Sequence, residues 1–166
     1  AGARFVMVDY GYDPDYGNLF DIHNAASQNF PHVSKMVKRG YNVVGVDRAF
    51  AALVRDLETR GLLKETMVVF LTEFGRTPKI NKKTGRDHWG AVQSTVLAGG
   101  GIEGGQVYGT TDRDSAYPTS KPVSPEDMLA TMHHALGIAP ESEIVDSLGR
   151  PHRIVNGRPL VELFSA

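Results

Sequence analysis

An amphipathic helix followed closely by a short apolar strand is the feature that most constrains the fold. Apolar residues recur at three- and four-residue spacing from Val43 to Leu57, which predicts a helix with one apolar face. The run from Met67 to Leu71 is continuously apolar, as in a strand covered on both faces. A helix that leads into such a strand is half of a right-handed crossover unit. We therefore expect an α/β fold with a mainly parallel sheet, and Leu53 buried against that sheet.

Two further runs have the character of strands. Phe5–Val8 is a continuous apolar and β-branched run, and Ser94–Ala98 is a further candidate for a buried strand. The first lies almost at the start of the sequence, although a central strand needs neighbours on both sides. We therefore expect residues 1–166 to form a single α/β domain that is the C-terminal part of a larger domain.

A second helix carries clear signals at its start. Ser124 suits the N-cap, Pro125 the first helical position and Asp127 the third, close to a capping box. These residues predict a helix from Glu126 to Leu136. Further along the chain, Asn156-Gly157 predicts the turn of a β-hairpin.

Composition excludes several classes of function. A net charge of −1 over 166 residues creates no field of one sign, so nucleic acid is not an expected partner. The absence of cysteine rules out thiol catalysis and thiolate metal sites. No apolar run approaches the roughly 20 residues that a membrane-spanning helix requires. A small anionic substrate could still bind to a local cluster of cations.

Charged residues follow the predicted strands, where open α/β sheets commonly bind ligands. Carboxylates and an imidazole brought to one rim can hold a divalent cation. Oxygen ligands suit magnesium, calcium or manganese, and an added imidazole admits zinc or iron. Arginines at the same rim could hold a phosphate or a sulfate through paired hydrogen bonds. The candidate residues are Asp9, Asp13 and Asp15, then Glu73 and Arg76, and finally Arg86, Asp87 and His88.

Each candidate also has a plainer interpretation. A carboxylate after a strand often stabilises a turn, and an isolated histidine such as His23 is more often a packing or surface residue. Glu73 follows five apolar residues, where a buried charge is costly unless it is paired or bound to a metal. An ion pair between Glu73 and Arg76 is the alternative to a metal at this position.

Long motifs in a fixed order resemble one bacterial family. The motifs are Leu71-Thr72-Glu73-Phe74-Gly75-Arg76-Thr77-Pro78-Lys79-Ile80-Asn81, Gly85-Arg86-Asp87-His88-Trp89 and Leu97-Ala98-Gly99-Gly100-Gly101-Ile102. Through them the chain is similar to the sulfatase-like "domain of unknown function 1501" family of the alkaline phosphatase superfamily, and the similarity extends from Phe5 to Phe164.

The resemblance implies a three-layer α/β/α sandwich with one or two divalent metals at the carboxyl ends of its strands. The superfamily pattern gives an Asp, which Asp13 matches, and a His two residues later. Asp15 stands at that position instead, and His23 is the nearest histidine downstream that could replace the missing ligand.

The rest of the expected ligand set is partly preserved. Where the superfamily has an Asp-His pair, this chain has Glu73-Phe74, which keeps a carboxylate and loses an imidazole. His88 matches the final histidine of the pattern, and its neighbour Asp87 is a further candidate. The metal ion implied is zinc, manganese, magnesium or calcium.

Two functions remain open. The resemblance implies a metal-dependent hydrolase of phosphate or sulfate esters, in which Arg76 and Arg86 stabilise charge on a small anionic substrate. The nucleophile would come from the missing N-terminal half of the same domain, and the protein would be exported to the periplasm. The alternative is a non-catalytic binding or assembly protein on a decayed hydrolase fold, which the lost imidazole favours.

Overall fold

The computed structural model describes residues 2–18, 20–24 and 26–165. The chain divides into two compact units, the first comprising Ala1–Leu53 and Phe74–Gln93, the second Val54–Glu73 and Ser94–Ala166. In chain order the elements are β1 (Tyr12–Asp13), β2 (Gly17–Asn18), α1 (Val33–Met36), α2 (Val43–Thr59), β3 (Val68–Phe70), β4 (Gly75–Arg76), β5 (His88–Trp89), β6 (Val96–Ala98), β7 (Thr110–Thr111), β8 (Pro118–Ser120), α3 (Pro125–Ala135), β9 (Glu143–Val145) and β10 (Pro151–Arg153), with 3₁₀ helices at Leu63–Glu65 and Val161–Leu163.

The strands of the described residues form only two-stranded antiparallel sheets, so the predicted three-layer sandwich with a parallel sheet is wrong. The strand expected at 67–71 is β3, which pairs with β6 so that Val68 lies opposite Ala98. A parallel pair needs a crossover connection, usually a helix. Between β3 and β6 the chain instead forms the β4–β5 hairpin, and β6 therefore returns antiparallel to β3.

The segment Phe5–Val8 is not a strand, contrary to expectation. Its four side chains are all more than 70% exposed, and the segment pairs with no strand in the described part of the chain. The apolar composition of this segment therefore does not correspond to burial in this structure.

The helix predicted from Val43 to Leu57 is confirmed as α2, but its burial is not. No residue of α2 is buried, and Leu53 is 47% exposed. The reason is that the parallel sheet expected to cover its apolar face does not form among the described residues.

A small core organises the first unit. It consists of Ile22, Phe30, Val33 and Met36, with Tyr16 and Val37 packed against it. The ring of Tyr16 meets that of Phe30 edge to face, with centroids 5.6 Å apart. This core anchors the segment around Ile22, which carries the candidate site.

Helix α3 in the second unit starts as predicted. The Ser124 hydroxyl accepts from the Asp127 N–H at 3.1 Å, and the Asp127 carboxylate accepts from the Ser124 N–H at 3.1 Å. Both bonds of the capping box are present, and Pro125 is the first helical residue.

The hairpin in the second unit lies before the predicted turn. Strands β9 and β10 are joined by a turn in which Asp146 Oδ1 accepts from the N–H groups of Leu148 and Arg150, both at 2.9 Å. Gly157 instead marks a close approach, because a Cβ there would lie 2.0 Å from the Glu126 carbonyl oxygen. Among the described helices, none is long and apolar enough to span a membrane.

Candidate metal centre

Three potential metal ligands converge in the first unit. Asp21 Oδ1 lies 2.8 Å from His23 Nδ1 and 2.8 Å from His88 Nε2. One ligand atom from each of these residues lies within 4.8 Å of the others, which makes this the one such group found in the described ranges. Asp21 and His23 come from one loop, whereas His88 begins β5, 65 residues beyond His23.

The donor set fits a divalent cation. Two imidazoles and one carboxylate are ligands of zinc, and the same combination holds iron in many open sites. Ligand atoms about 2.1 Å from a tetrahedrally bound zinc lie about 3.4 Å from one another. The 2.8 Å separations at Asp21 Oδ1 therefore need to widen by only a fraction of an ångström to admit an ion. With three protein ligands, such a site keeps a position open for another ligand.

Local packing explains how Asp21 and His23 meet. Ile22 between them is only 8% exposed and belongs to the core of the first unit. Its burial fixes the segment, while the side chains on either side contact each other outside the core. In the sequence Asp-Ile-His, the middle residue packs into the core, and the two polar side chains on either side of it contact each other.

The β4–β5 hairpin brings His88 to the same place. Arg76 of β4 is paired with His88 of β5, and the ring of Phe74 stacks on the His88 imidazole with centroids 4.2 Å apart. The His88 ring also meets His23 edge to face at 5.2 Å. These contacts hold the plane of the His88 ring, because an aromatic ring packed on one face has little freedom to turn.

The hairpin lies directly against the Asp21–His23 loop. The Arg86 N–H donates to the Ile22 carbonyl at 3.1 Å. Gly85 is buried, and a Cβ at this position would lie 2.4 Å from the Ile22 carbonyl oxygen. Only glycine permits this approach, so the sequence Gly85-Arg86 seats the hairpin on the loop.

Asp21 is held as a carboxylate. Burial acts to raise its pKa, but hydrogen bonds from His88, His23 and Arg76 together outweigh it and lower the pKa to about 2. The Arg76 guanidinium reaches Asp21 Oδ1 at 3.2 Å and also donates to the backbone carbonyls of Phe20 and Arg86. Arg76 therefore holds the Asp21 carboxylate and two backbone segments in place. It was predicted to bind an anionic substrate, but its guanidinium is engaged in these contacts.

Asp13 and Asp15 lie in a different cluster. Asp13 is fully buried, and Arg39 grips it with Nε at 2.6 Å from Oδ2 and Nη2 at 2.9 Å from Oδ1. The same Nη2 donates to Asp15 Oδ2 at 2.5 Å, and the guanidinium lies 4.7 Å from the centre of the Tyr16 ring. Hydrogen bonding to Arg39 is the largest cause of the lowered Asp13 pKa. The structure gives both carboxylates an arginine partner and does not bring them to the Asp21 group.

The other predicted residues surround or lie apart from the Asp21 group. Asp87, the neighbour of His88, is exposed, and its carboxylate accepts from Asn81 at 2.8 Å. Arg86 is half-buried and donates to the Thr77 carbonyl at 3.3 Å. Glu73 belongs to the second unit and is exposed, so the argument that its charge needs a buried partner does not apply.

Both histidines of this group were candidates on the sequence alone, and Asp21 was not. The signal was present: an Asp followed two residues later by a His occurs once in the chain, at Asp21 and His23. The acidic run after the first apolar segment favoured Asp13 as the match to that pattern. Asp21-Ile22-His23 has the expected spacing without any substitution.

Comparison with known proteins identifies the family but no closer relative. No curated protein matches the chain, and no solved structure matches it. A family model described as "Protein of unknown function (DUF1501)" matches residues 1–164. That match covers almost the whole sequence, including all three residues of the candidate metal centre. The chain therefore belongs to the DUF1501 family.

Proposed function

We propose that this chain carries the metal centre of a hydrolase that acts on phosphate or sulfate esters. The observation that carries the proposal is the convergence of His23 and His88 on Asp21 Oδ1, at 2.8 Å each. Both histidines are also metal-ligand candidates on the sequence alone. The proposal includes kinship with the sulfatase-like alkaline phosphatase superfamily, which rests on the sequence motifs.

The residues of this chain have separate tasks in the proposal. Asp21, His23 and His88 hold a divalent cation, with zinc the best match to two imidazoles and one carboxylate. A cation bound in this way supplies Lewis acidity towards an ester oxygen. Arg76 fixes Asp21 through its 3.2 Å contact, and Phe74 fixes the His88 ring. Arg86 is the remaining arginine of the hairpin that could attract an anionic substrate.

Two components lie outside the chain in this proposal. The nucleophile comes from the N-terminal half of the same domain, as the resemblance implies, and the substrate is a small anionic ester. The site of action is the periplasm, as expected for an exported member of this family. The nucleophile and the substrate depend on the metal centre and fail with it, whereas the location rests on the family resemblance.

Metal titration with matched histidine variants tests the centre. Calorimetry with zinc and manganese should show that His88→Ala weakens binding by at least 10- to 100-fold, the loss that even indirect partners of a ligand produce. His152→Ala is the control, since His152 is 52% exposed against 50% for His88 and also lies 3.0 Å from a carboxylate oxygen. Equal affinity in the His88→Ala and unaltered chains would contradict the metal centre.

Activity is tested separately on the full-length protein. Removal of metal by a chelator should abolish hydrolysis of aryl phosphates or aryl sulfates, and the metal that binds most tightly to the centre should restore it. Metal binding without hydrolysis of either ester class would contradict the proposed hydrolase activity but would leave the proposed metal centre intact.

A non-catalytic binding protein is the second candidate. The observation that favours it is the capture of Asp13 by Arg39, which occupies both carboxylate oxygens of an expected metal ligand. The described residues then offer a single three-ligand group in place of a two-metal set. Tight metal binding with no turnover of either ester class would support this candidate.

A further inference from the structure

The Asn81 side chain occupies an unusual position at the tip of the β4–β5 hairpin. Its Nδ2 group donates to the His23 carbonyl at 3.2 Å and to Asp87 Oδ1 at 2.8 Å. Its Oδ1 atom accepts from the N–H groups of Lys83 at 2.9 Å and Gly85 at 3.1 Å. An asparagine amide has two donor hydrogens and two acceptor positions, so its hydrogen-bonding capacity is filled.

The two halves of this amide do different things. The Oδ1 half closes the turn of the hairpin, together with the backbone bond from the Asn81 N–H to the Gly85 carbonyl at 2.8 Å. The Nδ2 half plays no part in the turn. It joins the residue before His88 to the backbone of His23, two segments that are 64 residues apart in sequence.

We infer that Asn81 is a positioning residue of the metal centre, which sets the separation between His23 and His88. This inference rests on the proposed function. One nitrogen atom hydrogen-bonded to both segments fixes their distance, because neither segment can move away without losing a bond. The half-buried amide keeps this tie partly shielded from water, which strengthens it.

A second asparagine joins the same two segments at a different point. Asn24, the residue after His23, donates to the Lys83 carbonyl at 2.5 Å and to the Thr84 hydroxyl at 3.1 Å. These bonds hold the tip of the turn, whereas those of Asn81 reach the His23 carbonyl and Asp87, the residue before His88.

The substitution Asn81→Asp isolates the tie. A carboxylate keeps the acceptor that closes the turn and loses the donor that joins the two segments. It also adds a negative charge beside a cation site, which by itself would strengthen cation binding. The new carboxylate also repels Asp87, so the single variant is paired with a second one that removes this repulsion. The double variant Asn81→Asp with Asp87→Asn restores the net charge and a bond between residues 81 and 87, but not the bond to His23.

The test uses Co²⁺ as a spectroscopic probe on the unaltered chain and both variants. We expect Asn81→Asp to weaken Co²⁺ binding by about 10-fold or more, the loss that is typical when a residue that orients a metal ligand is replaced. We also expect the visible absorption of the bound ion to change. The double variant should stay close to the single variant. Asn156→Asp, an exposed asparagine in the second unit, is the control and should leave both readouts unchanged.

The outcomes separate the positioning role of Asn81 from the metal centre itself. If the unaltered chain binds Co²⁺ through His88 and Asn81→Asp leaves affinity and spectrum unchanged, the positioning role is wrong and the metal centre stands. If Asn81→Asp does not fold, the double variant replaces it in the test, and a double-variant affinity equal to that of the unaltered chain overturns the role. If the unaltered chain shows no binding that depends on His88, the metal centre is wrong and the positioning role falls with it.

Discussion

A single carboxylate oxygen is the focus of the candidate site. Asp21 Oδ1 is approached by His23 and His88 at 2.8 Å and by Arg76 at 3.2 Å. Three donors on one oxygen atom stabilise the charged form, which is why the Asp21 pKa falls to about 2 despite burial. The site thus presents a carboxylate charge between two imidazoles above about pH 2, a donor set that suits a divalent cation.

Asparagine in place of Asp21 tests the charge separately from the shape. Asp21→Asn keeps a carbonyl oxygen at nearly the same position and removes the negative charge. We expect zinc affinity to fall by at least 10-fold. Loss of a residue that only hydrogen-bonds to a metal ligand already costs that much, and Asp21 is proposed as a ligand itself. Calorimetric titration gives the measurement, and Asp47→Asn, an exposed aspartate of the same unit, is the control. Unchanged affinity in Asp21→Asn would show that the histidines bind metal without this carboxylate.

Both histidines of the site were candidates on the sequence alone. The resemblance pointed to His88, and His23 is the nearest histidine after Asp13. The structure brings their rings together, and their role as metal ligands stays a prediction. Asp13 was preferred to Asp21 because it lies in the acidic run that follows Phe5–Val8. The half-buried partner that distinguishes them, Arg39, lies 26 residues after Asp13, and no spacing rule links the two.

At the scale of elements, the β4–β5 hairpin is the part of the fold that builds the site. It delivers His88, carries Arg76 opposite it and closes on Asn81. The hairpin is seated by Gly85, whose hydrogen atoms face the backbone of the Asp21–His23 loop. This close contact between the hairpin and the loop depends on the absence of a side chain at Gly85. The addition of a single methyl group therefore tests it directly.

Alanine at Gly85 should push the hairpin away from the loop. The new Cβ would lie 2.4 Å from the Ile22 carbonyl oxygen and 2.7 Å from the His23 carbonyl carbon, both backbone atoms that cannot rotate aside. We expect Gly85→Ala to weaken metal binding and to lower the melting temperature. Gly90→Ala is the control, because a Cβ at Gly90 would meet nothing within 4 Å. Equal metal affinity in these two variants would mean that the seat does not position His88.

The capped start of a helix was predicted from local signals, whereas the direction of strand pairing was not. The start of α3 follows from Ser124, Pro125 and Asp127, which interact within three positions of one another. The direction of β3 depends on β6, whose partner residues lie about 30 positions away. An apolar strand sequence such as Val68–Phe70 fits either direction of pairing, so the sequence could not decide between them.

At the scale of the whole molecule, carboxylates with lowered pKa values occur in both units. Asp13 and Asp21 belong to the first unit, and Asp127 and Asp146 to the second. Asp127 is held mainly by the Arg158 N–H, with the capping-box bond from Ser124 next in size. Each of these groups binds its proton less readily in the folded chain than in the unfolded chain, and each therefore makes stability depend on pH.

Asp146 gives the clearest form of this prediction. The backbone N–H of Arg150 is the largest cause of its lowered pKa, followed by His152, and the pKa falls from 3.8 to about 2. A lowered folded-state pKa means that the unfolded chain binds more protons in this range. The stability that Asp146 contributes is therefore complete above about pH 4 and is lost as the pH falls towards 2. Urea unfolding of the unaltered chain should show a free energy of unfolding that declines over this interval.

The variant Asp146→Asn separates this contribution from those of the other carboxylates. Asparagine can still accept from the N–H groups of Leu148 and Arg150 but does not titrate, so the variant should be less stable at pH 5 and should approach the unaltered chain near pH 2.5. The exposed Asp114→Asn, whose carboxylate is not held by such a turn, should follow the unaltered chain at both pH values. A constant difference in unfolding free energy between Asp146→Asn and the unaltered chain from pH 5 to pH 2.5 would show that the Asp146 charge does not stabilise the folded chain. The β9–β10 turn would then depend on its hydrogen-bond geometry alone.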